Sequence, residues 1–282
     1  MDANFEHCAA LVREADPDRF LASLFAPEVH RGALYALYAF NAEIGRVPEV
    51  AREPMPGEIR LQWWREVLAG ERNGEEKAHP VAAALRETIE QYGIAVEPLA
   101  DLIEAHAFDL YAQPMAAMND LEIYAERTDC AVFALAADIL GGRSVATSAA
   151  IRHAGIAYTV AGLLRSLARD ASRRRLFVPL DVLARHGADV ERIFAGEATA
   201  ELRASLAELR LCVRRHLAGA AENISSIPDA ILPALLPVAL VQPALTRMEK
   251  NDYEPFEFTT VPRWRQQWRL WRAARNPGRI FS

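Results

Sequence analysis

Runs of alternating β-branched residues between turn signals are nearly absent from this chain, whereas apolar residues recur at helical spacing in one segment after another. An all-α fold is therefore expected. Residues 201–217 carry the pattern most cleanly, with Leu202, Leu206, Leu209, Val213 and Leu217 on one face. Residues 30–41 (HRGALYALYAFN) are apolar on most faces and predict a buried helix. In residues 59–68, Ile59, Trp63, Val67 and Leu68 form the expected core stripe, stopped by Gly70. Pro80 and Gly93 bound a helix over 79–92, and another is expected over 96–110. Gly141-Gly142 ends a helix over 120–140, and a long one over 146–168 follows.

Hydrophobic residues make up 51% of the 282 positions against 25% charged, so a sizeable core is available and disorder is not expected. No Gly/Ser-rich or charge-block linker divides the chain, which predicts one domain over residues 1–282. Cys8, Cys130 and Cys212 are far apart and at no metal-ligand spacing, as expected of packing residues in a reducing compartment. The first residues lack the basic start and apolar run of a signal peptide, so a cytoplasmic location is expected. Residues 231–245 are the most apolar stretch, but they fall short of a bilayer span. Pro233, Pro237 and Pro243 interrupt them, so they predict a buried, kinked helix.

Few enzyme classes are supported by motif. There is no G-x-S-x-G element, phosphate-binding loop or Cys/His nucleophile arrangement, and His106, His153, His186 and His216 are not grouped at metal spacing. Neither a metal nor a nucleic-acid partner is expected.

Seven segments, HRGALYALYAF, LQWWREVL, HPVAAALRETIEQYGI, LIEAHAFDL, IYAERTDCAVFALAADILGG, RRRLFVPLD and MEKNDYEPF, resemble the squalene/phytoene synthase family in residues and order, nearly end to end. The resemblance implies an isoprenoid-synthase helical bundle around a central cavity. In that family two aspartate-rich motifs hold Mg²⁺, which neutralises prenyl diphosphates for ionisation. Here the first motif segment reads Asn41, Ala42, Glu43, Ile44, Gly45, Arg46, Val47, Pro48, Glu49, with Gly45 and Arg46 in place of the paired aspartates. The two aspartates of the second correspond to Ser166 and Asp170.

By the same resemblance, Tyr38, Asp109, Tyr124 and Arg127 fall where the family keeps polar groups near its cavity, and Cys130 replaces a small glycine and narrows it. Tyr38 and Tyr124 read equally as core aromatics. Arg165, Arg169 and Arg173 recur at i, i+4 and i+8, either as a solvated surface or as an anion-binding face. Tyr38, Asn41, Arg165, Ser166, Arg169, Asp170 and Arg173 are thus the candidate substrate- or anion-binding residues.

The wording AFNAEIGRV, LQWWREVL, YAERT and SRRRLFVPLD, with a Trp-rich end, looks like the branch containing the respiratory NADH:ubiquinone oxidoreductase (complex I) assembly factor. Two functions stay open. One is a non-catalytic protein that aids assembly of complex I, with its subunits as partners and an isoprenoid or lipid as a cavity ligand. The other is an active prenyl-diphosphate transferase of the squalene/phytoene synthase type, for which Mg²⁺ would be the cofactor.

The tail is charged differently from the rest. From Phe258 onward there are six arginines and no acidic residue, so the remainder carries a formal −12 within a total of −6. In residues 262–275, Trp264, Trp268 and Trp271 recur at i, i+4 and i+7. Two readings follow: indoles capping the core, or an interfacial helix that meets a membrane or partner and places the protein peripherally on the inner membrane face.

Overall fold

The computed structural model describes residues 2–51, 53–72, 74, 76–111, 113–257 and 262–282, and there is no strand among them. Helices α1 (Ala3–Ala15), α2 (Pro17–Ser23), α3 (Glu28–Val50), α4 (Pro54–Leu68), α5 (Pro80–Tyr92) and α6 (Glu97–Phe108) come first. Next are α7 (Met118–Ala125), a π-helical turn (Glu126–Cys130), α8 (Ala131–Leu140) and α9 (Val145–Ser172). The chain ends with α10 (Leu180–His186), α11 (Val190–Phe194), α12 (Ala200–Glu222), α13 (Leu232–Leu235), α14 (Val241–Met248) and α15 (Arg263–Arg275).

These helices pack into two compact units. The first comprises Met1–Tyr111, Ala131–Ser148 and Ser226–Pro237. At its centre is α3, whose unbroken run Ala33–Phe40 is buried, with α1, α5 and α8 packed on it. Helix α5 begins and ends as its sequence requires: His79 accepts the Ala82 N–H, Pro80 takes the first position, and Gly93 turns out at φ +61°. The second unit comprises Ala112–Cys130, Ala149–Ser225 and Val238–Ser282. Helix α12, capped by Thr199, packs on α10 and buries the expected Leu202, Leu206, Leu209, Val213 and Leu217.

Three local expectations need correction. The buried face of α4 is Gly57, Leu61, Trp64 and Val67, whereas Ile59 is 66% exposed. The stripe is turned because Gly57 lets the backbone approach Leu110, whose methyl would lie 2.4 Å from an added Cβ. The expected single helix over 120–140 is interrupted by the π turn, which inserts a residue into the ladder and re-aims the side chains after Glu126. Finally, Asp229–Met248 forms a helical run of 20 residues, long and apolar enough to cross a membrane, but its most apolar window is 67% buried. The run continues because Pro233 falls in the first turn of α13, Pro237 in a 3₁₀ turn and Pro243 early in α14, where missing N–H groups cost little.

Candidate functional site

Helix α3 carries the first motif segment beyond Asn41, which is half-buried, and stays helical through Pro48. An added Cβ on Gly45 would meet the His106 ring at 3.6 Å, and His106 Nδ1 is 3.2 Å from Asp109 Oδ2. The place of a motif carboxylate is therefore taken by a glycine facing an imidazole.

On a neighbouring face of α3, Glu43 and Arg46 join Arg60, Trp63, Trp64 and His79 around a cleft of about 480 Å³, a size typical of small-ligand pockets. Burial pushes the Glu43 carboxyl up to about 7, against the pull of Arg46. His79 Nε2 lies 3.5 Å from Glu43 Oε2, yet burial lowers the His79 pKa, so this contact is not a full ion pair at neutral pH. The rings of Trp63 and Trp64 stand edge to face, 5.0 Å apart. This cleft offers two guanidiniums, a carboxyl only about half ionised at pH 7 and aromatic walls, so its positive charge outweighs its negative and suits an organic anion.

The second motif segment lies on α9. Ser166 Oγ donates to Asp170 Oδ2 at 2.5 Å, and Arg169 Nε is 3.7 Å from Asp170 Oδ1. Asp170 is buried, and the space it lines with Leu167, Phe177 and Leu206 amounts to only about 10 Å³, room for a single water at most. Arg165 and Arg169 are exposed on α9, but the helix ends at Ser172 and Arg173 sits in the turn, its N–H bonded to Asp170 O. Of the expected three-arginine stripe the helix itself therefore carries Arg165 and Arg169, with Arg173 in the turn that ends it and Arg174 beyond at a left-handed φ of +54°.

A Mg²⁺ pair needs facing sets of carboxylates. The residues at these two segments do not fit it: one buried aspartate is tied to serine and arginine, and the other segment presents Gly45 and Arg46 where the aspartates would stand, with Glu43 set against Arg46 and His79.

The remaining candidates separate. Tyr38 is wholly buried, with the Arg19 guanidinium 5.5 Å from its ring centre, and its hydroxyl pKa is raised by burial. It belongs to the core of its unit. Tyr124 leans on Phe177 at 6.0 Å, and Arg127 is exposed. Cys130 is directed at α9, its thiol donating to Arg152 O at 3.2 Å.

One grouping escapes the sequence reading. His153 Nδ1 and His216 Nδ1 are 2.9 Å apart, His216 Nε2 is 3.3 Å from Glu122 Oε1, and Cys212 Sγ is 3.8 Å from the same oxygen. Two of the four histidines, His153 and His216, are thus brought together, whereas His106 and His186 have other partners, and the i, i+4 spacing of Cys212 and His216 on α12 is the available signal. Burial lowers both histidine pKa values, so the pair is neutral near pH 7, and Arg215 Nη2, 2.9 Å from Glu122 Oε1, supplies the balancing cation.

On α15, Trp264, Trp268 and Trp271 are 63%, 51% and 42% exposed, while Leu270 and Ala273 are buried. The core-cap reading is thereby overturned, for the helix turns its other face inward.

The squalene/phytoene synthase family profile matches residues 12–272. The chain is 26% identical over 250 residues to NADH dehydrogenase (ubiquinone) complex I, assembly factor 6 of Bos taurus, covering 89% of this chain and 75% of that one. It is also 26% identical over 262 residues to the chloroplastic phytoene synthase 2 of Solanum lycopersicum, covering 89% and 83%. Among solved structures, a dehydrosqualene synthase in complex with ligand superposes with a TM-score of 0.84 at 18% identity, covering 95% of this chain and 94% of that one. Squalene synthase HpnC from Alicyclobacillus acidocaldarius gives 0.69 at 23% identity, covering 98% and 94%. The all-α isoprenoid-synthase fold is shared with these proteins, and the chain belongs to the squalene/phytoene synthase family.

Proposed function

We propose that this protein is a non-catalytic member of its family that aids assembly of respiratory complex I from the cytoplasmic side of the membrane. The observation that carries the reading is the chemistry of the two motif segments. Bringing a prenyl diphosphate next to carboxylates without metal would be strongly repulsive, and Gly45, Arg46 and Ser166 stand where the family's metal-holding motif aspartates would be. Similarity to complex I assembly factor 6 over 89% of the chain supports the assembly role. Subunits of the complex are the expected partners. The cleft between α3 and α4, with Arg46 and Arg60 beside Trp63 and Trp64, is suited to an isoprenoid or lipid bearing an anionic group.

A second reading has its own support in the phytoene synthase similarity: an active prenyl-diphosphate transferase with altered metal use. Deleting the gene in its host separates the two. The expected result is a severalfold loss of membrane NADH:quinone oxidoreductase activity with squalene- and phytoene-derived terpenoids unchanged. Normal oxidoreductase activity with lost terpenoids would reverse the assignment.

A further inference from the structure

We infer that α15 is a membrane-docking helix whose tryptophans and arginines seat it in the headgroup layer of an anionic lipid surface. Gln266, Leu270 and Ala273 face the protein, and Trp264, Trp268 and Trp271 each precede one of them by two positions, about 200° around the helix. The indole stripe therefore points directly away from the buried stripe. Large exposed aromatics in a row are not left on a surface for packing.

Charge supplies the second, independent observation. The described residues 262–282 hold Arg263, Arg265, Arg269, Arg272, Arg275 and Arg279 and no carboxylate side chain. Among the described residues none of these six forms an ion pair, although the rest of the chain carries a formal −12. Arginines that merely neutralised the acidic body would be paired with it. Instead, Arg265, Arg272 and Arg275 lie over the Trp264, Trp268 and Trp271 rings at 5.2, 4.4 and 4.2 Å. That arrangement holds guanidinium and indole at one depth, as the headgroup layer requires.

The cationic surface also extends beyond the helix. Arg165 of α9 reaches the flank of α15, where it and Arg269 line a cavity of about 120 Å³ with Leu240, Pro243, Met248 and one carboxylate, Glu257. An anionic headgroup at this margin would find three guanidiniums above an apolar floor, those of Arg165 and Arg269 together with Arg247, which is paired with Asp252. The exposed Arg165 thus joins the docking face.

The proposal is tested with the purified full-length protein and phosphatidylcholine vesicles, with and without phosphatidylglycerol, at low and high salt. Co-sedimentation with the anionic vesicles at low salt is expected, with loss at high salt and little binding to the neutral ones. The combined variant Arg263→Gln, Arg265→Gln, Arg269→Gln and Arg272→Gln is expected to partition about 1000-fold more weakly. The triple variant Trp264→Ala, Trp268→Ala and Trp271→Ala should lose about tenfold or more. Circular dichroism confirms folding, and if the tryptophan variant unfolds, the arginine variant decides. A wild-type protein that stays in the supernatant with anionic vesicles at low salt overturns the proposal and leaves an acidic protein surface as the partner of this face. Equal binding by the arginine variant overturns it as well. Attachment is read on purified protein, so its failure leaves the assembly role standing, and the reverse also holds.

Discussion

Gly155→Ala is expected to lower the unfolding free energy by about 3 kcal/mol, read as a shifted urea midpoint at unchanged slope. Gly155 lies on α9 where that helix crosses the π turn, and a Cβ there would stand 2.3 Å from Cys130 Sγ, 2.6 Å from Cys130 Cα and 2.8 Å from Cys130 N. The thiol alone could rotate away. Two of the three clashes are with backbone, however, and that backbone is fixed by the Thr159 hydroxyl donating to Asp129 Oδ2 at 2.8 Å and by the Cys130 thiol on Arg152 O. Helix propensity favours alanine by only about 1 kcal/mol, so the steric cost wins. Adding Cys130→Gly removes only the sulfur clash and is not expected to restore stability. An unchanged or raised midpoint for Gly155→Ala would show that the crossing relaxes freely.

The second large effect concerns Arg19, which is only 3% exposed. Its Nη1 donates to Asp16 Oδ2 at 2.9 Å, and its guanidinium lies 5.5 Å from the Tyr38 ring centre and 5.3 Å from that of Phe133. Asp16 also caps α2 by accepting the Arg19 N–H at 3.0 Å. Arg19→Ala removes the cation and opens a cavity between two aromatic rings, so a loss of about 3–5 kcal/mol is expected. Arg19→Met refills the volume without the charge and should recover about half of it. Full recovery by methionine would mean that the ion pair and the ring contacts contribute nothing.

Arg19 also marks the limit of what the sequence discloses. Its position in PDRFLAS gives no sign of burial, because the aromatic rings that enclose it come from α3 and α8, far along the chain. Where a single helix carries its own signal, as in α12 with its leucine stripe or α5 between Pro80 and Gly93, the reading and the structure agree. The α4 stripe is ambiguous in sequence because Trp63 and Trp64 are adjacent and equally apolar, and only the close approach of Gly57 to Leu110 selects Trp64 for burial. The same holds for the site. The loss of carboxylates at Gly45, Arg46 and Ser166 is legible residue by residue, but the cleft that sets Glu43 and Arg46 against Arg60 and His79 depends on how α3 and α4 pack. The exposure of Trp264, Trp268 and Trp271 depends likewise on which face Leu270 turns inward.

The most direct test of the central claim, that this family member performs no prenyl transfer, is to incubate the purified protein with farnesyl or geranylgeranyl diphosphate and Mg²⁺ and to measure the terpenoid products. No squalene, dehydrosqualene or phytoene above the enzyme-free control is expected, since Asp170 is the one motif aspartate left and it is bound by Ser166 and Arg169. Product above that control, abolished by Asp170→Ala in a protein that remains folded, would contradict the account.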